Sequence, residues 1–364
     1  MSLPPALRAL VRDELAEVEA YAPHEGAFDV RLDANESPDL FSAEAHARLS
    51  RAALEHSLAR YPDVRARALK EAIGRRIGAA PEQLLVGVGS DEVIALMLSA
   101  LDRPRKKGQP PAIVTCTPTF VMYRVSAKVR GYVVIEVPLD ARWRPSLPSL
   151  LHAVGMVEAS MVFIASPNNP TGTTMSRDDV VALAAGAKDS LVVIDEAYAP
   201  FADESLGDLF DSAPNLVFLG TLSKIGLAAL RVGWLRAHPE LIAEIDKVRQ
   251  PYNVPAVTQR MATVALDELS DELDRIVGLV RDERRRLAVE IEMLGHSVTP
   301  SSANFLWVKT ARPAAEVFAA LASQSVLVRS FHQRGGRIAE HLRITVGRPS
   351  ENDRLLTALA SCGG

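Results

Sequence analysis

Seven short apolar runs dominate the middle of the chain, and each is continuous instead of alternating with polar residues. They are "QLLVGVG" (Gln83–Gly89), "AIVTC" (Ala112–Cys116), "YVVIEV" (Tyr132–Val137), "MVFIA" (Met161–Ala165), "LVVID" (Leu191–Asp195), "LVFLG" (Leu216–Gly220) and "RVGWLRA" (Arg231–Ala237). A strand with one wet face alternates apolar and polar side chains, so unbroken runs rich in Val, Ile and Leu predict strands buried on both faces. Helix-like segments lie between them, which predicts an α/β fold with a mostly parallel central sheet.

The rhythm breaks at "PYNVP" (Pro251–Pro255), where two prolines mark a boundary or hinge. A charged helical stretch follows, "LVRDERRRLAVEIEML" (Leu279–Leu294). Its Leu279, Leu287, Ile291 and Leu294 are expected on one apolar face, with the charges on a solvated one. "NFLWVK" (Asn304–Lys309), "AAEVFAALASQ" (Ala314–Gln324), "VLVRS" (Val326–Ser330), "HLRITVG" (His341–Gly347) and a terminal helix then read as α+β. The division expected is a polar arm over residues 1–30 containing a short helix, a large domain over 31–255 and a small domain over 256–364. That fits a length of 364 residues, too long for one small core. "HQRGGR" (His332–Arg337) reads as an exposed loop.

Net charge is −4, which offers no general attraction to nucleic acid or anionic membrane, so a phosphorylated ligand needs a local basic site. Cys116 and Cys362 are far apart and lack metal-type spacing, so neither a disulfide framework nor a metal site is expected. No run approaches the roughly 18 apolar residues of a membrane span, and the acidic N-terminal stretch does not read as a leader. A cytoplasmic protein is expected.

Four loops at predicted strand ends carry groups that could do chemistry. "TLSK" (Thr221–Lys224) places an amine beside two hydroxyls, with Arg231 seven residues further on, a set suited to a phosphate next to an amine nucleophile. "VVIDEAY" (Val192–Tyr198) ends a buried strand in Asp195, Glu196 and Tyr198. A carboxylate buried there requires a partner, and a protonated ring nitrogen would be one. "GVGSDEVI" (Gly87–Ile94) puts Ser90 and Asp91 where a helix starts, with backbone N–H groups free for an anion, although Ser-Asp is also a good N-cap. "SPNNPTG" (Ser166–Gly172) is a loop stiffened by Pro167 and Pro170, in which Asn168 or Asn169 could donate an amide N–H to a phenolate oxygen.

Together with "LDANESP" (Leu32–Pro38), "RYPD" (Arg60–Asp63), "PTFVMY" (Pro118–Tyr123), "LRVG" (Leu230–Gly233) and "LRITVG" (Leu342–Gly347), these motifs give the chain a resemblance. It resembles the fold-type I pyridoxal-phosphate aminotransferases, and within them the histidinol-phosphate aminotransferase family, from about Tyr21 onward. The resemblance implies pyridoxal 5'-phosphate as cofactor, with Lys224 in covalent linkage to it and Asp195 paired with its ring nitrogen. It implies Asn169 and Tyr198 at the ring hydroxyl and Phe120 stacked on the ring. The phosphate would rest on the backbone of Ser90 and Asp91, on Ser223 and Arg231, and on Tyr61 from the other subunit of a homodimer with shared active sites. Arg343 and Arg329 are implied to hold the substrate's carboxylate or phosphate, with Tyr21 and Asn35 on the substrate side. The implied reaction passes an amino group from L-histidinol phosphate to a 2-oxo acid such as 2-oxoglutarate.

The chain departs from the family's usual pattern at three places. Phe120 replaces a frequent tyrosine, the interval from Lys224 to Arg231 is one residue short, and Pro200 stands where an acidic residue is common. The rival readings are an aromatic amino-acid aminotransferase, a phosphothreonine-type decarboxylase and a non-catalytic scaffold. The last would be expected to lose the lysine or to carry a basic extension.

Overall fold

The computed structural model describes residues 4–13, 15 and 26–362. Its central sheet has seven strands: β2 (Leu84–Val88), β3 (Ala112–Thr117), β4 (Val133–Pro138), β5 (Met161–Ala165), β6 (Leu191–Asp195), β7 (Leu216–Thr221) and β8 (Val232–Arg236); β1 (Val30–Leu32) lies elsewhere. The spatial order is β2-β8-β7-β6-β5-β3-β4. Only β8 runs against its neighbours, pairing antiparallel with both β2 and β7. The carboxyl ends of β2, β3, β5, β6 and β7 therefore share one edge, and the start of β8 lies there too. Loops that are distant in sequence converge along that edge, where open parallel sheets bind ligands.

Burial on both faces follows from the composition of the runs. Along β5, Val162 and Ile164 enter one apolar cluster, while Met161, Phe163 and Ala165 enter another on the opposite face. Residues of β6 and β7 divide in the same way. The strand at 133–138 departs from the expectation: it is the sheet's edge, it is parallel to β3 alone, and Val133 and Glu136 are exposed. Its apolar run is covered on fewer sides because no strand flanks it further out.

A second sheet contains five strands in the order β1-β11-β12-β10-β9, adding β9 (Ser297–Thr299), β10 (Phe305–Lys309), β11 (Val326–Ser330) and β12 (His341–Thr345). Its edge strand β1 comes from ahead of the central sheet and pairs parallel with β11. Neither β1 nor β9 was expected, since three residues are too few to show a period. The helix Pro5–Arg8 is the short N-terminal one expected.

The charged stretch lies within one helix, Ser270–Met293, and its buried stripe is Leu273, Ile276, Val277, Val280, Arg284, Leu287 and Ile291. Leu287 and Ile291 fall where expected, but Leu279 and Leu294 are exposed. Leu279 is one residue, or 100°, from Val280 on the buried stripe, and Leu294 already caps the helix. Nor is the charge run wholly solvated. Arg284 is buried, donates to the carbonyls of Phe201 (3.0 Å) and Ala303 (2.8 Å), and has its pKa pulled down to about 10 by burial. Its guanidinium ties the helix to loops of both sheets.

Candidate active site

A cavity of about 440 Å³ opens at the carboxyl edge of the central sheet, between it and the second sheet. Of the residues singled out from sequence, it collects Asn35, Ser90, Asp91, Phe120, Asn169, Asp195, Tyr198, Ser223, Lys224, Arg231, Arg329 and Arg343. Tyr61 is not among them. It is 81 % exposed, stacks on Tyr252 with ring centroids 4.6 Å apart, and borders a separate recess with His56 and Arg260. Tyr21 lies outside the described residues.

Asp195 ends β6 with only 4 % of its surface exposed. Tyr123 donates its hydroxyl to Asp195 Oδ2 at 2.5 Å, and the backbone N–H of Ala197 donates to Oδ1 at 2.9 Å. Burial nevertheless pushes its carboxyl above the ordinary range, more than these two donors pull it down. A cation placed against it from the cavity would reverse that balance. Sequence reasoning quoted Tyr123 within a motif but gave it no role. The signal was its place three residues after Phe120 at the start of the helix Val121–Lys128.

Lys224 follows β7 in a tight helical turn, Ser223–Leu227, in which Gly226 takes φ +96°. Its Nζ lies 5.6 Å from the centre of the Tyr198 ring. Tyr198 in turn accepts a hydrogen bond at its hydroxyl from Asn35 Nδ2, at 2.9 Å. Asn35 is buried with φ +55°, and its backbone N–H donates to Thr345 Oγ1 at 3.0 Å. Asn35, expected on the substrate side, holds Tyr198 directly.

The anion-binding corner forms where β2 meets β8. The helix Gly89–Ala100 begins at Gly89, so Ser90 and Asp91 lie inside its first turn and not at the cap. Their backbone N–H groups have no carbonyl four residues back within the helix. Gly89 has φ +74°, and a Cβ there would strike the Arg231 guanidinium, so glycine keeps this corner open. Arg231 itself adopts φ +50°, pairs with Asp91 Oδ2 at 3.3 Å, and reaches Ser223 Oγ at 3.5 Å. The shortened interval after Lys224 therefore still delivers Arg231 to the cavity.

In the "SPNNPTG" loop the two asparagines divide the work. Asn168 braces the loop: its amide donates to Pro118 O (3.1 Å) and Thr171 Oγ1 (2.9 Å), and it accepts from Thr119 Oγ1 (2.6 Å). Asn169 faces the cavity, and its Oδ1 accepts from Arg343 Nη1 at 2.7 Å, so its NH₂ is the group left to donate. Gly172, at φ +74°, packs so close to Ser301 that a Cβ would overlap it, while its carbonyl accepts from Ser302 N at 2.8 Å. The loop is thereby fixed against the second sheet's side of the molecule.

That second side is basic. Arg329 on β11 pairs in register with Arg343 on β12, so two guanidinium-bearing residues stand side by side across the ladder. Arg343 also donates to Asp33 O at 2.5 Å and lies 5.7 Å from the Phe305 ring. Arg334, expected in an exposed loop, and Phe331, which had no expected role, also line the cavity. A buried carboxylate and a lysine on one wall, a helix N-terminus with an arginine in one corner, and paired arginines opposite suit a ligand with a cationic ring and two anionic groups. The residues fit pyridoxal phosphate plus an anionic amino compound. Cys116 and Cys362 are both buried free thiols, and among the described residues no helix is long and apolar enough to cross a membrane.

Comparison with known proteins gives the chain's family. The family model for aminotransferase class I and II matches residues 29–359. A histidinol-phosphate aminotransferase 1 of Burkholderia lata is 40 % identical over 96 % of this chain and 96 % of its own length. A histidinol-phosphate aminotransferase of Chromobacterium violaceum is 38 % identical over 97 % of this chain and 98 % of its own. Among solved structures, the Sinorhizobium meliloti histidinol-phosphate aminotransferase in complex with pyridoxal-5'-phosphate superposes with a TM-score of 0.83 at 25 % identity, covering 93 % of this chain and 91 % of that one.

Proposed function

Since this chain belongs to the aminotransferase class I and II family, we propose that it transfers the amino group of L-histidinol phosphate to 2-oxoglutarate with pyridoxal phosphate bound in the cavity. The observation that carries the reading is the pairing of the Lys224 and Asp195 wall with arginines across one cavity. The curated relatives' names support the substrate.

The cofactor, when bound, supplies an electron sink for the bond broken at the substrate carbon. The rest falls to the chain. Lys224 Nζ would hold the cofactor covalently and, once displaced by the incoming amine, would be the base that takes the proton from the substrate carbon and delivers it to the cofactor carbon beyond the nitrogen. Asp195, anionic against a ring nitrogen, keeps the proton on that nitrogen. Tyr198, oriented by Asn35, and the Asn169 amide donate to the ring hydroxyl, and Phe120 covers the ring. Ser90 and Asp91 backbone N–H groups, Ser223 and Arg231 take the cofactor phosphate. Arg343 and Arg329 take the substrate's phosphate, or the carboxylate of the second substrate.

Tyr61 belongs to this reading through a second copy of the chain. Leu54, Leu58 and Tyr61 are exposed within eight residues of one another, and Tyr252 stacks on the last. Such a patch supports burial in a homodimer that brings Tyr61 to the partner's phosphate corner. The domain division at the Pro251–Pro255 segment is part of the same proposal.

The test is the single half-reaction of the purified holoenzyme, followed by cofactor absorbance. L-Histidinol phosphate should convert the spectrum rapidly, and L-phenylalanine at equal concentration slowly. The reverse order would move the chain to aromatic amino acids, and carbon dioxide release from added L-threonine O-3-phosphate would make it a decarboxylase.

A further inference from the structure

We propose that the segment Phe331–Glu340 is a specificity element for phosphomonoesters: Arg334 adds a third guanidinium to the anionic subsite of Arg329 and Arg343, and Arg337 seated on Trp143 holds it there. The inference rests on the substrate class proposed above.

Arg334 lines the same cavity as Arg329 and Arg343. Among the described residues, neither Arg329 nor Arg334 has an acidic partner within ion-pair distance, although both line a cavity, whereas Arg231 on its opposite wall is paired with Asp91. Burial draws the Arg334 guanidinium below its ordinary pKa, and the charges of Arg329 and Arg124 add to that. Unpaired like charges around one opening cost stability, and an anion entering the cavity offsets that cost.

The loop is not free to swing Arg334 elsewhere. Its first turn, His332–Arg334, closes on Phe331, whose ring meets the buried Trp307 edge-on at 5.2 Å. After Gly335 and Gly336 the chain turns again at Arg337–Glu340. There the Arg337 guanidinium lies 3.6 Å from the centre of the Trp143 ring, and donates to Asp140 O at 2.7 Å. Trp143 stands edge-on to Trp307 (5.7 Å) and to His341 (5.1 Å), and those two rings stack at 4.7 Å. Trp143 is buried with φ +61°, a conformation kept only where the surroundings over-determine it. Its carbonyl accepts from Thr173 Oγ1 at 2.5 Å, next to the loop that carries Asn169. Arg337 is thus a positioning residue: the loop bearing Arg334 is seated on a rigid aromatic block joined to the cofactor side.

Three guanidiniums discriminate where two do not. A carboxylate has one charge and two oxygens, which one bidentate fork can serve. A phosphomonoester has three terminal oxygens and a charge of about −1.5 to −2 at neutral pH. The third cation therefore contributes more to the phosphate.

The experiment uses the holoenzyme and reads KM for L-histidinol phosphate, KM for L-glutamate, and the inhibition constant of inorganic phosphate against L-glutamate. Arg334→Gln should raise the first and third about tenfold, at least three times the change in the second, with little change in kcat; Arg334→Lys should recover part of it. Arg337→Gln should shift the same constants in the same order by a smaller factor, and Arg337→Lys, which keeps a cation over Trp143, should recover. Cofactor absorbance and melting temperature of each variant separate these effects from general unfolding. A phosphate inhibition constant within twofold of the unmodified protein in Arg334→Gln, or equal shifts for both donors, overturns the role of Arg334. Selectivity lost in Arg334→Gln but intact in Arg337→Gln overturns the clamp. No turnover of L-histidinol phosphate by the unmodified protein overturns the substrate reading instead, and the phosphate inhibition constant still decides the role of Arg334.

Discussion

The two walls of the cavity are built differently. On the central-sheet wall the polar groups are already engaged within the chain: Asp195 accepts from Tyr123 and Ala197, Tyr198 from Asn35, and Arg231 pairs with Asp91. On the second-sheet wall Arg329 and Arg334 stand, among the described residues, without acidic partners. The first wall is preorganised for a ligand that stays, since groups fixed before binding cost little to order. The second keeps charge available for ligands that come and go. Arg343 joins them, by donating to Asn169 on one side and standing beside Arg329 on the other.

The largest effect should come from the first wall. Lys224→Ala is expected to lose turnover by about 10³-fold or more, within the range of a removed general base and the loss of covalent attachment together. Circular dichroism should remain that of the folded protein. A variant that still turns over at a tenth of the normal rate would remove Lys224 from the chemistry and dissolve the division between walls.

Asp195→Asn comes next, with an expected fall in turnover of about 10² to 10⁴-fold, because an amide cannot keep a ring nitrogen protonated. This residue also predicts a pH dependence. Burial raises the carboxyl's pKa in the folded chain, so its ionisation costs stability that is lost as pH rises through that raised value. A bound cation offsets that loss, so the rise in melting temperature on adding pyridoxal phosphate should grow as pH climbs above the ordinary carboxylate range. In Asp195→Asn only the pH dependence of the cofactor phosphate and of Lys224 remains, so the growth should be shallower. A response no steeper in the unmodified protein than in Asp195→Asn would mean that no positive group meets Asp195.

Arg343→Ala tests the joint between the walls. If it served substrate alone, cofactor release would be unchanged. Because it also holds Asn169, KM for both donors should rise about tenfold, and cofactor dissociation should quicken by a smaller factor, on the order of threefold, the worth of one partly replaceable hydrogen bond. Unchanged KM for both donors would refute its anchoring role.

The same contrast explains what was legible in the sequence. The first wall is written as contiguous words at the ends of buried runs, so "DEAY", "TLSK" and "SPNNPTG" could be placed at one sheet edge once the strands were recognised. The second wall depends on the antiparallel register that sets Arg329 against Arg343, and on a loop folded over Trp143 and Trp307, which are 164 positions apart. No local pattern encodes that meeting, so Arg334 read as an exposed loop residue. Tyr123 was missed for a related reason: its contact with Asp195 crosses 72 positions. The edge strand at 133–138 and Arg284 show the converse, where a correct local pattern misjudges burial because burial is set by which neighbours the topology provides.

The smallest effect concerns Asn35, which touches both walls at once: its side chain donates to Tyr198 and its backbone to Thr345, two residues from Arg343. Asn35→Ala removes the donor from a buried hydroxyl, at about 1–3 kcal/mol. It also places a Cβ-bearing residue lacking asparagine's local hydrogen bonds at φ +55°, adding about 1–2 kcal/mol of backbone strain. Asn35→Gly loses the same side-chain bond but is free of the strain. The glycine variant should therefore melt at a higher temperature than the alanine variant, while both lose the same few-fold in kcat through a less firmly held Tyr198. Equal melting temperatures would mean the backbone at 35 relaxes out of the left-handed region. Unequal kcat would mean that Tyr198 is oriented through the backbone hold on Thr345, making the first wall's order a property borrowed from the second.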